Sequence, residues 1–462
     1  MRDLLYVVSW LVFVVLAVQG GVDVGILLWT WTSLLSPVDV LYSFGTYVPF
    51  AKVGAGLTVL LLLAQRGGKF HPQLGLSQFL FLSLAGLAIT AQVLSPAQNA
   101  AFGWDLCEKY LKVLLLGFVV MGVVRRRFQM HALIIAICLG LGFYGVDEGA
   151  KFLVSGGGHK VQGGSYGDNN QLAMNLLLML PLCQHLYHVL KLRIMRLAIL
   201  SGGVMCMFGV IATYSRGGFG GLAIIALASA LASKRKIMAA LLVVALAFGG
   251  LQVVGQAWVN RIDTIQDASD DVSFLGRVAA WQISTLVALD RPFGAGMHGI
   301  QLADIWFNYL PKINTLPLFP EANPAPYPHA AHSIWFEVLG DMGFGGLFCF
   351  VLLIFSGFVN ARRTRRLVRA ADRRDLEWAG DLALRLQISL LAFVASGSLL
   401  SAAYYDIDYL LFALIVVLRR HVEAELRVPQ MTAFRGLPSL RWLPAGQAAG
   451  RLALRGPDAR VP

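Results

Sequence analysis

Charge is scarce in this sequence. Only 14% of its 462 residues are Asp, Glu, Lys or Arg, against 57% hydrophobic residues and a mean hydropathy of +0.66. A water-soluble globule of that composition would have nowhere to put its apolar side chains. Metal and disulfide signatures are missing too. The five cysteines, Cys107, Cys138, Cys183, Cys206 and Cys349, stand singly in apolar stretches with no CxxC pair. That excludes a cysteine-based zinc site and a disulfide framework, and leaves small buried hydrophobes. No internal repeat at fixed spacing is evident. The start, "MRDLLYVVSWLVFVVLAVQGG", has a short charged lead but no small-x-small cleavage site, and reads as an uncleaved first helix.

What the chain does contain is apolar runs of roughly 15 to 25 residues, the length that spans a bilayer as a helix. Lipid requires every backbone polar group to be bonded within its own helix. The fold class is therefore all-α and polytopic. Apolar segments fall near 4–35, 50–65, 76–95, 106–124, 130–147, 170–189, 196–214, 218–233, 237–258, 333–360, 383–403 and 408–419. They predict about twelve transmembrane helices with both termini in the cytoplasm. The stretch 4–35 is too long for one plain crossing, and "QGGVDVG" predicts a break into two pieces, compatible with one crossing or two. The net charge of +12 would suggest nucleic acid in a soluble protein, but its distribution gives no nucleic-acid reading. The basic residues cluster at Arg66 and Lys69, Arg125 to Arg127, Lys191 to Arg196, Lys234 to Lys236, and most heavily in "ARRTRRLVRAADRR". Each cluster lies between apolar runs, as cytoplasmic loops do under the positive-inside rule.

One connection differs from the rest. Residues 259–331 form a hydrophilic insert on the side opposite the basic loops, far beyond the 12–15 residues of an ordinary connection. "FLGRVAAWQISTLVALDRP" has helical apolar spacing and ends at a proline, "GAGMHG" reads as a turn, and "LPLFPEANPAPYPHA" reads as extended and semi-rigid. The chain thus divides into N-terminal transmembrane helices (1–258), a large helical cap between two late helices (259–331), C-terminal transmembrane helices (332–420) and a cytoplasmic tail (421–462).

Charged and polar residues away from the basic loops are the candidate site. Arg216 in "ATYSRGGFGGL" stands where two apolar segments meet, and its guanidinium suits either an anionic ligand or a snorkelling position at headgroup level. Arg277 heads the cap helix, four residues before Trp281. Arg291 and Arg261 read as structural. Lys109 and Lys112 stand near an outer helix end, where one could line an anion site or pair with Glu108. Asp168, Asn169 and Asn170 at another helix mouth suit capping or hydrogen bonds to a sugar. Tyr404, Tyr405, Asp406 and Asp408 form a similar outer cluster. His332 opens a late membrane helix and, when neutral, can accept a proton from a hydroxyl. With His329 it supplies two possible metal ligands. Asp341 lies more than two turns farther on and Glu337 on a different face, so a third ligand does not converge and no metal site is assigned.

Three pieces combine in order: "SRGG", then "GRVAAWQISTLVALDRPFGAGMHGIQ", then "HSIWFEVLGDMGFGGL". Together they resemble the O-antigen ligase and polymerase superfamily of bacterial envelope glycosyltransferases. Arg277, Trp281, Pro292, Gly294 and Gly296 fit its Arg-Trp and Gly-x-Gly turn pattern, and His332, Leu339, Asp341 and Gly343 fit its His-led segment. Asp341 stands where the family more often has Glu, and Ser333 where many members have Asn. The N-terminal "GVDVGILLWTWTSLLSPVDVLYSFGTYVPFA" and "GDNNQLAMNLLLMLPL" resemble the branch of exosortase-A-associated O-glycosylation ligases.

The resemblance implies a GT-C-like fold in the bacterial inner membrane, with the cap and the active site facing the periplasm. It implies metal-independent, inverting transfer of a glycan from undecaprenyl pyrophosphate to a hydroxyl of the lipid A core, in lipopolysaccharide biosynthesis. His332 would be the base, and Arg216 and Arg277 would hold the pyrophosphate. Around them Lys109, Lys112, Asp168, Asn169, Asn170, Arg291, His329, Tyr404 and Asp406 would bind substrate. No cofactor is implied. A Wzy-type polymerase and a protein O-oligosaccharyltransferase share parts of the pattern. A lipid-linked glycan transporter is the reading outside enzymes, against which the membrane segments lack paired charges and broken-helix repeats.

Overall fold

The computed structural model describes residues 2–42, 44–64, 70, 73–161, 168–233, 272–322 and 327–427. The expected span at 237–258, Arg261, the start of the 259–331 insert and the tail beyond 427 lie outside these residues. Among the described residues the chain is helical and has no strand. The helices are α1 (Arg2–Gly20), α2 (Val22–Leu35), α3 (Pro37–Val40), α4 (Phe50–Ala64), α5 (Leu76–Val93), α6 (Ala100–Val123), α7 (Arg127–Val154), α8 (Asn169–Val189), α9 (Arg193–Ala212), α10 (Arg216–Ala232), α11 (Val272–Asp290), α12 (Ala303–Tyr309), α13 (Ile334–Ala371), α14 (Glu377–Gly397) and α15 (Asp406–Arg427).

Seven of the described helical stretches, in α1, α5, α7, α8, α9, α13 and α14, are long and apolar enough to cross a membrane, and three shorter apolar ones stand in α2, α4 and α10. The multi-pass architecture follows; the count of about twelve does not. The expected segments at 106–124 and 408–419 are helices, but α6 carries Glu108, Lys109 and Lys112, and α15 carries Asp406, Asp408, Arg419 and Arg420.

The expected break in the first apolar stretch falls at Gly21, whose φ of 74° ends α1. The chain then reverses. Tyr6 stacks on Trp31 with ring centroids 5.5 Å apart, and the backbone N–H of Tyr42 donates to Asp3 at 3.3 Å. Trp10, Ala17, Leu28, Leu41 and Phe50 bury one another between these elements. This hairpin starts α1 at the end of the bundle shared with residues 37–49. The left-handed glycine thus allows α2 to fold back along α1, a reversal whose direction the apolar run alone does not reveal.

Residues 272–322 and 327–333 build a small helical layer around their own core. Val278, Ala279, Ile283, Val287, Ile305 and Trp306 are fully or almost fully buried there. Its long irregular segment is stapled by polar side chains, since Gln282 accepts from the Asn314 backbone N–H at 2.5 Å and Asn314 bonds both backbone groups of Ala322. A break in α13 forms one of the joints between this layer and the membrane helices. Gly343, with φ 67° and ψ −168°, breaks α13 nine residues after it begins. The carbonyls of Gly340 and Asp341 accept instead from the N–H groups of Ala295 (2.9 Å) and Gly296 (3.1 Å). A Cβ on Gly343 would strike the Pro292 carbonyl, and one on Gly294 would strike the Asp341 carbonyl. Gly343→Ala combines that collision with a left-handed conformation costing a side chain about 1–3 kcal/mol. It should lower the thermal midpoint of the purified protein by several degrees or prevent folding. A variant that melts at the wild-type temperature would refute the joint.

Candidate functional site

The site grows from a short segment, 397–401, that leads from the end of α14 toward α15. Five elements meet on it. Trp335 donates its indole N–H to Ser398 Oγ at 2.9 Å. The Arg277 guanidinium reaches the Leu399 carbonyl at 3.5 Å. Leu400 packs against Gly217 at the start of α10. Gln171 of α8 donates to the Ser401 carbonyl at 3.3 Å. Finally, Ser401 Oγ accepts from the backbone N–H of His332 at 2.9 Å.

That last bond holds His332 in an uncommon place. Its φ is 44°, a left-handed conformation that a non-glycine residue keeps only when its surroundings impose it. The imidazole is half-buried, and its charged neighbours include Arg277, Asp168, Glu337 and His329. Burial, and then the Arg277 charge, hold its pKa below the ordinary imidazole value despite Asp168 and Glu337. A neutral ring beside a fixed guanidinium can accept a proton at neutral pH. Arg277 stands on α11, which is fixed by Trp281: that indole donates to the Ala331 carbonyl at 2.7 Å and its ring stacks on Phe336. His329 lies in an aromatic nest, its ring 4.6 Å from Tyr327 and 5.8 Å from Trp306, against Gly276.

Beside it lies a second polar pocket. Glu337 and Asp341, one turn apart on α13 and both buried, converge on His298 of the turn after α11. Glu337 accepts from the Ala403 backbone N–H at 3.0 Å and lies 3.7 Å from His298 Nε2. Tyr404 donates to Asp341 at 2.9 Å. Gln92, Ser95 and Asn99 hold the His298 turn through the backbone of Met297 and Ala295. Burial alone would lower the His298 pKa, but its bond to Glu337 and the charges of Asp341 and Glu337 outweigh burial and raise it.

The other candidates separate. Asp168 caps α8 and binds both nitrogens of Asn170, while Asn169 donates to the Thr213 carbonyl at 2.7 Å, which ties the α8 mouth to the end of α9. Arg216 is the first residue of α10, next to the Ser215 cap; its side chain lies outside the described part of the structure. Lys109 pairs with Asp105 and Lys112 with Glu108, each at 2.6 Å, and Lys52 shares Glu108 at 3.2 Å. Asp406 accepts from Ser33 at 2.8 Å, and Arg291 lies beside Tyr309. Among the described residues, no three His, Cys, Asp or Glu side chains are grouped to hold a metal ion. Sequence reasoning missed the 397–401 hub and His298. The signal available for His298 was its place directly after "GAGM", in a turn already matched to a motif.

Two family profiles match the chain. Residues 201–351 match the family described as O-antigen ligase, and residues 1–188 match a family of unknown function (DUF5935). The first match contains Arg216, Arg277, His298, His329, His332, Glu337 and Asp341. No curated protein matches the chain.

The raised His298 pKa has a sign that can be tested. Its protonation favours the folded state, so the gain is complete below the unfolded imidazole value of about 6.5 and is lost as pH rises through the higher folded value. Glu337→Ala removes that partner and also strands the Ala403 N–H, at about 1–3 kcal/mol. Thermal unfolding should show a penalty larger at about pH 5.5 than at about pH 8.5. A penalty equal at both would rule out the pair.

Proposed function

We propose that this chain, placed in the O-antigen ligase superfamily by its residues 201–351, is an inverting glycosyltransferase that moves a glycan from undecaprenyl pyrophosphate to a hydroxyl of the lipid A core. The observation that carries this reading is His332: half-buried, biased to its neutral form by burial and the Arg277 charge, with its backbone N–H held by Ser401. An acceptor hydroxyl would give its proton to the His332 imidazole as its oxygen attacks the anomeric carbon from the face opposite the pyrophosphate. The bond from that carbon to the pyrophosphate oxygen breaks, and the electron pair leaves on the lipid pyrophosphate. Arg277 and Arg216 would take up that charge through charge-assisted hydrogen bonds of about 1.5–3 kcal/mol each.

Direct displacement predicts inversion at the sugar. Fixed guanidinium charge takes the role a divalent ion plays in other phosphate-leaving reactions, so transfer should persist in EDTA. His329, Tyr404 and the Asp168 to Asn170 cap would contact the sugars. Lys109, Lys112, Arg291 and Asp406 would be further contacts to the donor. Lys109 and Lys112 would exchange Asp105 and Glu108 for phosphate oxygens. The site lies at the end of the bundle away from the basic loops, which under the positive-inside rule faces the periplasm of a bacterial inner membrane.

In a reconstituted assay, His332→Ala should lower transfer by roughly 10²–10⁴-fold while donor binding is kept. Normal transfer by that variant would overturn the assignment. Because burial and Arg277 depress the His332 pKa, the acid limb of kcat/KM should lie below about pH 6.5. Arg277→Gln removes a positive neighbour, so it should move that limb upward as well as slowing transfer; an unmoved limb would separate Arg277 from the base. Offered lipid A core, a growing glycan and an acceptor protein side by side, the enzyme should glycosylate the first. Preference for either of the others would reassign it as a polymerase or a protein glycosyltransferase.

A further inference from the structure

The far end of α13 carries a ridge of charge that glycan transfer does not use. Arg362, Arg365, Arg366 and Arg369 follow the spacing that puts residues on one helix face. With Gln387 of α14 they line a cavity of about 440 Å³. Arg365 donates to Gln387 Oε1 at 2.7 Å. Basic residues around the cavity have acids: Arg363 lies 3.3 Å and Arg419 3.6 Å from Glu423, and Arg373 lies 2.5 Å from Asp375. Among the described residues, no ion pair joins any of the four cavity arginines to an acid.

Topology alone does not require this arrangement. The positive-inside rule asks for basic residues near a helix end, not for four guanidiniums around one cavity. Like charges three and four residues apart destabilise a helix unless something neutralises them. Their depth also matters. From the break at Gly343, Arg362 to Arg369 lie about 28 to 39 Å along α13 at about 1.5 Å per residue. A hydrocarbon core about 30 Å thick that begins at the break would end within this arginine stretch, which would put the cavity at headgroup level on the basic side.

We propose that the four arginines and Gln387 form a binding site for a phosphate-bearing anion. Planar guanidiniums match phosphate oxygens in pairs, and Gln387, tied to the Phe358 carbonyl by its amide nitrogen, holds Arg365 through its amide oxygen. The phosphate can come from the headgroup of an anionic phospholipid in the adjoining leaflet or from a free phosphate in solution.

Native mass spectrometry of the full chain, given equimolar phosphatidylglycerol and phosphatidylethanolamine, tests the lipid source. Thermal unfolding with added inorganic phosphate tests the soluble one. Wild type should retain phosphatidylglycerol selectively. Arg365→Gln with Arg369→Gln should weaken that retention about thirty-fold, or about 2 kcal/mol at 1.4 kcal/mol per tenfold. Arg366→Gln alone, which is gentler on folding, should weaken it about five-fold. Arg363→Gln, outside the cavity and paired with Glu423, should leave it unchanged. Stabilisation by inorganic phosphate without lipid selectivity, lost in the same variants, supports the site with a soluble occupant. Equal retention of both lipids with no phosphate effect overturns the proposal. So does selectivity that survives both cavity variants.

Discussion

Two backbone carbonyls organise this molecule. Where Gly343 leaves the helical conformation, the buried carbonyls of Gly340 and Asp341 must find donors outside α13. The amides of Ala295 and Gly296 do so. Leaving a buried carbonyl unmet costs about 1–3 kcal/mol, so the turn after α11 has one place to dock. The docking carries consequences along both chains. It sets His298 against Glu337 and Asp341, orients α11 so that Trp281 reaches Ala331, and fixes the chain that enters α13 through His332. The Gly-x-Gly turn and the acidic-x-Gly segment, far apart in sequence, are the two halves of this joint.

Much of this was readable from residues. Long apolar runs specify helices because lipid leaves the backbone no other way to bond, and α5, α7, α8, α9 and α13 lie close to where those runs predicted. His332 and Arg277 stood out because a basic group away from the basic loops needs its own reason. What stayed hidden was irregular backbone. Residues 397–401 are Gly, Ser, Leu, Leu and Ser, with nothing that announces chemistry. Their role is to present carbonyls and hydroxyls to α8, α11 and the start of α13 and an apolar side chain to α10, and such a role exists only after folding. The reversal at Gly21 was hidden for a related reason: a glycine marks a break, but Tyr6 packing on Trp31 decides its direction.

The pairing of Lys109 and Lys112 shows how far charge type alone can carry an assignment. A lysine near a helix mouth suits an anion site and an i, i+4 carboxylate equally well, and Asp105 and Glu108 occupy both here. Exposed pairs of this kind contribute roughly 0.2–1 kcal/mol and exchange readily. They therefore hold cationic charge at the mouth without fixing it. Arg277 is placed differently: its helix is locked by a stacked tryptophan and its guanidinium reaches a main-chain carbonyl. A charge meant to stabilise a transition state gains from being held in advance, because no reorganisation is then needed at the moment of reaction.

The two histidines near Glu337 have opposite biases, and one carboxylate takes part in both. Glu337 lies within ion-pair distance of His298 and raises its pKa; at His332 its charge also raises, but burial and Arg277 prevail and the pKa falls. Environments that push the pKa values of neighbouring groups apart are how a single site separates acid and base duties. In the proposed reaction His332 must begin neutral, whereas a cationic His298 would balance the acids that α13 carries toward the bond being broken. The joint at Gly343 makes that separation possible, because it admits the His298 turn to the acidic face of α13 while leaving His332 beyond the end of the helix, beside Arg277.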